Sequence, residues 1–451
     1  MNQLQSIEPE WVTQNFLAFE RSLNGDAHSP LHTIRSAAYS NFSRLGFPTT
    51  QNEDWKYTNL APIARSSFSI AQPHETPAQL SEQTLARIPR HLSATTLVFV
   101  EGMFRKEYSS ALPEQAGLRI HTLAEVLKPT FADGQLADQV LDSLGSVASS
   151  REHPFVALNT AFLRDGAVVQ VAKDAQIAEP IQLVFVGGAG KSPSMSQPRL
   201  LVVAGENSRV TLIESFLSAG ETPYLVSHVG EIVLGAGASV DHYKLQIEGE
   251  QAFHVGSIWA SVARDAHFRT HSFAFGGALV RNEVSPVLNG KGGVCVLNGL
   301  SVLRAEQHTD NHTVIDHAEP NCESHELYKG IYADKSAGVF SGTIIVRPDA
   351  QKTNALQTNQ SLLLSSTATI ESKPQLKIWA DDVKCTHGAT VGQLDEHALF
   401  YLRSRGVPKK DARDMLIHAF ASDVISGVRP AALKVHLEEV LTEKLASIGL
   451  L

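Results

Sequence analysis

Three stretches of this chain carry residue types able to do chemistry. The first is Trp379-Ala380-Asp381-Asp382-Val383-Lys384-Cys385-Thr386-His387-Gly388. If Lys384 to His387 is extended, Cys385 and His387 project from one face, because strand side chains alternate. A thiolate beside an imidazole can be a nucleophile with its base, or a pair of soft metal ligands. A cysteine on an apolar strand can equally be plain core. The adjacent Asp381, Asp382 and Lys384 argue that this segment is not wholly buried.

The second stretch gathers His308, His312, His317, Cys322 and His325, with Asp310 and Asp316 interleaved. Imidazole and thiolate are common ligands of zinc, iron and copper. The spacings match no standard zinc pattern, however, and His308 and His312 lie outside any helical periodicity. With 19 histidines in the chain, a solvated turn with satisfied imidazoles explains the density better than a metal cage. The third stretch, Gly187-Gly188-Ala189-Gly190-Lys191-Ser192, imitates a phosphate loop. That loop needs a further glycine where Phe185 stands, and a helix after Lys-Ser, which Pro193 and Pro198 forbid. A turn is the better reading, and ATP hydrolysis by this chain alone is not expected.

Three zones must position these residues. Residues 1–154 read as a mostly helical N-terminal domain. Apolar residues fall at helical spacing in Trp11 to Leu23 and Leu31 to Leu45, with Gly46-Phe47-Pro48 as a stop. Helical patches follow around Leu123 to Leu127 and Leu136 to Leu144, and Thr95 to Glu101 reads as a strand.

Residues 155–392 change character. Short β-branched and aromatic runs alternate with Gly, Asn, Asp and Ser, as in Ala167 to Ala172, Ile181 to Val186, Leu200 to Ala204, Val210 to Phe216 and Ile344 to Arg347. A small residue followed two positions later by an apolar one recurs in seven triplets, beginning at Ala175, Ser208, Ala238, Ala266, Gly292, Ala337 and Ala368. The steps are 33, 30, 28, 26, 45 and 31 residues. Such spacing points to stacked units, each burying its apolar face on the next, hence a β-solenoid rather than a sandwich.

Residues 393–451 return to helix. Asp395 is an N-cap for a stripe of Leu394, Ala398, Leu399 and Leu402. A second helix after Pro408 carries Ala412, Met415, Leu416, Ala419, Phe420 and Val424. A third, opened by Pro430, carries Leu433, Leu437, Val440, Leu441, Leu445 and Ile448.

Composition sets outer bounds. The 451 residues are 43% apolar and 19% charged, an ordinary globular balance. A net charge of −9 offers no basic excess for nucleic acid. Three cysteines suit a reducing compartment and exclude a disulfide scaffold. No apolar run approaches a membrane span, and Met1 to Glu10 has no secretory character. The expectation is a cytoplasmic protein with neither membrane nor nucleic-acid partner.

Longer runs carry a resemblance. Asp381 to Leu394, continuing through Leu399-Phe400-Tyr401-Leu402-Arg403-Ser404-Arg405-Gly406, is similar to the SufB/SufD family of the SUF iron–sulfur cluster assembly system, on its SufD side. So are Glu53-Asp54-Trp55-Lys56-Tyr57-Thr58-Asn59-Leu60, His312 to His317, Glu326 to Gly330 and Val346 to Thr353. The absence of any cysteine before residue 295 separates the chain from the SufB side.

The resemblance implies a mainly β fold, a right-handed parallel β-helix with an N-terminal α/β-helical region and an all-α C-terminal region. It implies a non-enzymatic scaffold that pairs with a SufB-like subunit through the β-helix. A SufC-like ABC ATPase would bind through the C-terminal helices. It also implies a nascent-cluster site at the SufB interface that uses His387, with Cys385 beside it. Clusters take about four ligands, so these two residues need a second subunit, and no cluster is expected to stay bound to the isolated chain. Flavin (FAD) in the complex and a homodimer of the isolated chain are compatible with the resemblance but not fixed by it. Two other classes compete. One is a β-helix carbohydrate enzyme, for which Asp381-Asp382 is the nearest acid pair, although adjacent strand residues face opposite ways. The other is a stand-alone metal-binding protein built on His308, His312, His317 and Cys322.

Overall fold

The computed structural model describes residues 9–23, 29–70, 79–112, 115–128 and 130–448. The expectation about a secretory start concerns residues 1–10, and 1–8 of these lie outside the described set. Among the described residues, no helix is long and apolar enough to cross a membrane.

Two sheets, of 11 and 10 strands among the described residues, form the core. From Arg209–Ser218 onward consecutive strands alternate between the sheets, and each pairs in parallel with the strand one coil away. This is a parallel β-solenoid. Residues therefore stack in columns along its axis, one per coil. One inward column runs Val210, Val240, Phe268, Cys295, Ser324, Ala355, Cys385. Another runs Leu212, His242, Thr270, Leu297, Glu326, Gln357, His387.

One corner of the coil fixes the repeat. Asp174, Asn207, Gly237, Asp265, Gly292, Asn321 and Lys352 all adopt positive φ, between 54° and 74°. Asn, Asp and Gly tolerate that conformation best, which explains their recurrence about every 30 residues. The N–H of each donates to a carbonyl of the following coil at 2.6–3.2 Å.

The small-x-apolar triplets only partly follow this geometry. Val210, Val240 and Phe268 stack in register, but Val294 faces His267 and is one residue out of step. The triplets at Ala337 and Ala368 belong to the other sheet, so the 45-residue step is a jump between sheets. So loose a template tolerates such slips, because small residues abound at strand entries.

Helices cover the outer face of each sheet. Trp11, Phe16, Phe19, Phe42, Phe155 and Phe162 pack against Met195, Leu225, Val255 and Leu279 of the first sheet. On the second sheet, Tyr243, Leu245, Phe273, Leu300 and Ile331 receive the C-terminal helices Lys409–Ser426 and Ala431–Ser447. The buried face of Lys409–Ser426 is Ala412, Ile417, Ala421, Val424 and Ile425. Of the sequence stripe, Ala412 and Val424 lie on that face and Phe420 packs at its edge, whereas Met415 looks outward and is 52% exposed. This helix is apolar on two sides, and periodicity alone does not say which side meets the sheet.

The two ends of the solenoid differ. At the start, Thr95–Val100 is a rung of the second sheet and carries an antiparallel neighbour, Met103–Phe104. In the first sheet Leu118–Thr122 closes antiparallel on Gly166–Val171. At the far end, Thr369–Ile378 and Lys384–Gly392 each have, among the described residues, a strand on one side only.

A buried ion pair ties the N-terminal region to the sheet. Arg199 and Glu231 are essentially inaccessible and paired, and Glu231 also accepts the backbone N–H groups of Gly145, Val147 and Ala148 at 2.9–3.1 Å. Glu231→Ala leaves the Arg199 charge buried without its partner. It should therefore cost about 3–5 kcal/mol, read as a lower urea midpoint; an unchanged midpoint would show that the pair holds nothing in place.

Candidate functional site

The uncovered end is where the Cys-x-His segment lies. Cys385 and His387 sit on the last strand, Lys384–Gly392, in register with the buried Ala355 and Gln357 of Asn354–Leu363. Two residues apart on one strand, they share the inward face of the solenoid. Cys385 is half-buried and packs against the cluster formed by Ile344, Val346, Ala350, Ala355 and Ala380. His387 is exposed. Burial pushes the Cys385 thiol up, and a backbone hydrogen bond at Ala355 offsets part of that rise.

Beneath His387 lies a polar column that sequence reasoning missed. Gln357 Nε2 donates to Glu326 Oε2 at 2.7 Å. Gln357 Oε1 is buried and has no hydrogen-bond partner among the described residues. Burial pushes the Glu326 carboxyl up from 4.5 to about 7, although Gln357's donated hydrogen bond acts the other way. No local signal reveals this column, since its members lie one coil apart; only the stacking register brings them together.

The other chemistry-bearing stretches are dispersed. On His308–His317, alternate side chains face opposite ways. His308 Nε2 lies 3.0 Å from Thr58 Oγ1, and Asp310 pairs with Arg281 while accepting from Thr58 at 2.6 Å. His312 lines a cavity beside the N-terminal helices. His317 Nε2 turns inward to Ser324 Oγ at 2.9 Å. The Cys322 thiol donates to the Gly290 carbonyl, and His325 is exposed beside Glu323. Among the described residues, no three His, Cys, Asp or Glu side chains come together to hold a metal ion.

The glycine-rich stretch ends the strand Ile181–Gly187 and turns, with no helix before the next strand, Ser194–Ser196. The Ala189 N–H there donates to Glu101 Oε1 at 2.6 Å and Ser194 Oγ to Oε2 at 2.7 Å, so a carboxylate occupies the place a phosphate would need. Asp381 and Asp382 lie in the turn before the last strand, not on it. Asp382 pairs with Lys352 and its N–H donates to Gln351 Oε1 at 2.9 Å. The expectation that they face opposite ways as strand neighbours therefore does not apply.

The segment at Glu53 to Asn59 is a clasp between regions. Glu53 pairs with Lys373, the Trp55 ring lies 3.9 Å from the Arg281 guanidinium, and Thr58 bonds Asp310. One short run thereby holds the N-terminal region to three of the last four coils of the first sheet, those of Leu279–Leu288, His308–His317 and Thr369–Ile378.

Comparisons with known proteins agree with this architecture. Residues 185–420 match the family model of the SUF system FeS cluster assembly SufBD core domain, and residues 9–183 match the SufBD protein N-terminal region. The chain is 33% identical to the iron–sulfur cluster assembly protein SufD of Escherichia coli, over 87% of this chain and 88% of that one. It is 31% identical to an iron–sulfur cluster assembly SufBD family protein of Synechocystis, over 93% and 92% of the two chains. A SufD of Bacillus subtilis is 26% identical, over 90% and 87%.

Glu326 sets a pH dependence. Its carboxyl holds a proton to higher pH in the fold than in the unfolded chain, so its contribution to stability is full below about 4.5 and is lost as pH rises through about 7. Glu326→Gln removes this titration. The fall in urea midpoint between pH 5 and pH 7.5 should be smaller in the variant than in the parent; equal falls would mean that the carboxyl is already ionised at pH 5.

Proposed function

Because this chain belongs to the SufBD family of SUF-system iron–sulfur cluster assembly proteins, we propose that it is a SufD-type, non-enzymatic scaffold subunit. In this reading it pairs with a SufB-type chain at the open end of its solenoid and contributes Cys385 and His387 to a shared site for the nascent cluster. The observation that carries the reading is the position of these two side chains on the inward face of a strand that has, among the described residues, no neighbour on its outer side.

The ligand count supports a shared site. A cluster takes about four ligands, mostly thiolates with imidazole as a known substitute. Cys385 and His387 are two, and the other cysteines, Cys295 and Cys322, are buried on earlier coils. A second chain stacked on the last coil can supply the rest while pairing with the free strand edge, which otherwise presents unpaired backbone groups. Ile378, Trp379 and Val391, all exposed at this end, give such a contact apolar area. Gln357 has the part of an outer support: its free Oε1 lies one rung below His387, where it can accept the ring N–H and leave the other nitrogen for iron.

The same reading gives the C-terminal helices to an ATPase of the SufC type. Phe400 and Tyr401, on the short helix Glu396–Ser404, are 72% and 58% exposed, and Met415, on the outer side of Lys409–Ser426, is 52% exposed, so the C-terminal helices offer an outward apolar surface. Nucleotide hydrolysis would then come from the partner.

The test is His387→Ala in the co-expressed complex. Co-purification with SufB- and SufC-type partners should be unchanged, while the visible absorption of the assembled cluster falls at least tenfold. Normal cluster yield from that complex removes His387 from the site.

A further inference from the structure

The cavity that His312 lines, of about 340 Å³, lies away from the open end, between the outer face of the first sheet and the N-terminal region. That is the size of a small-molecule site. Its floor is one outward column of the sheet, Ser257, Glu283 and His312, on three successive coils. The aromatic rings of Trp55, Phe155 and Trp259 form its walls.

The charge in this cavity is one-sided. Arg281 is already neutralised by Asp310 and covered by the Trp55 ring, and Asp316 is held by Arg347 at 2.7 and 3.0 Å. Asp54 and Glu152 at the rim have no ion-pair partner among the described residues. Glu283 has only His153, 3.7 Å away. His312 does not cancel these carboxylates, because burial and the nearby Arg281 hold its imidazole below the usual range and hence neutral near pH 7.

Buried polar atoms here also lack partners. His312 is 6% exposed and its Nδ1 makes no hydrogen bond among the described residues, nor do Ser257 Oγ and Ser285 Oγ. A neutral imidazole nitrogen and a hydroxyl oxygen can each accept from an N–H donor, and unpaired buried polar atoms are costly, so a guest that brings such donors is favoured. A bare metal ion is a poor guest, since no three ligating groups converge. A cation carried on an apolar body fits both halves, its charge toward the carboxylates and its body against rings whose faces attract positive charge.

We propose that this cavity binds a small organic cation, an amine, amidine or guanidine with a short apolar body, held by Glu283, Glu152 and Asp54 at its charged end and by Trp55, Phe155 and Trp259 along its body. This site is independent of the cluster reading, and none of its residues belongs to the open end of the solenoid.

The experiment is calorimetric titration of the full chain with benzamidine, with neutral benzamide and anionic benzoate as shape-matched controls. Benzamidine should bind one-to-one, about tenfold or more tighter than benzamide, with no saturable heat from benzoate, and should weaken as salt is added. Glu283→Gln and Asp54→Asn should each weaken benzamidine about three- to tenfold, and Asp54, being exposed, decides the matter alone if the Glu283 variant does not fold. His387→Ala should leave this binding unchanged. The proposal is overturned if benzamidine shows no saturable binding, if benzamide or benzoate binds as tightly, if both carboxylate variants retain full affinity, or if manganese(II) displaces benzamidine stoichiometrically.

Discussion

A parallel solenoid satisfies each strand with the strand of the next coil, and this stacking must stop somewhere. In this chain the first coil is closed by antiparallel strands and by N-terminal helices. The last is closed by nothing among the described residues. Two strands, Thr369–Ile378 and Lys384–Gly392, therefore carry a row of outward backbone N–H and C=O groups. Free edges of that length invite pairing. Cys385 and His387 stand on such an edge, so the strand left open to a partner also carries the two side chains that the proposed function assigns to the cluster.

The same stacking governs what lies inside. Columns pass through the whole molecule, which lets groups one coil apart meet although they are far apart in sequence. Glu214 meets His242, 28 residues on, at 2.8 Å and is shared with His228 at the same distance, all fully buried. Burial lowers the His254 imidazole to about 4 and the Lys244 ammonium to about 8. Farther along, Glu326 and Gln357 continue a column that ends at His387. The exposed terminal rung thus rests on a rigid, hydrogen-bonded stack, a suitable support for a ligand that must be held in place.

What was legible in the sequence follows from which interactions are local. The relation of Cys385 to His387 rests on a period of two, and short-range alternation conveys it. The return from strand to helix near 393 shows in composition, whereas the expected switch to strand at 155 falls later, since Pro154–Ala161 is still helix and the next strand begins at Gly166. The corner residues Asn207, Asp265 and Asn321 leave a trace because positive φ restricts residue type. The triplet pattern slipped at Val294 and changed sheets at Ala337, because strand entries on both sheets look alike to so loose a motif. On Lys409–Ser426 the stripe holds at Ala412 and Val424 but not at Met415, since Met415 and Ile417 are equally apolar and only the sheet decides between them. The clasp at Trp55, the Glu326–Gln357 column and the acidic aromatic cavity depend on contacts between distant coils, and no window of sequence contains them.

The account's central claim is that this chain holds one part of a cluster site and depends on a second chain for the remainder. Anaerobic reconstitution with iron and sulfide, followed by desalting and measurement of iron per chain and visible absorption, tests it most directly. The isolated chain should retain no stable cluster, and the absorption should appear in proportion to an added SufB-type partner. A stoichiometric, stable cluster on the isolated chain would contradict the claim.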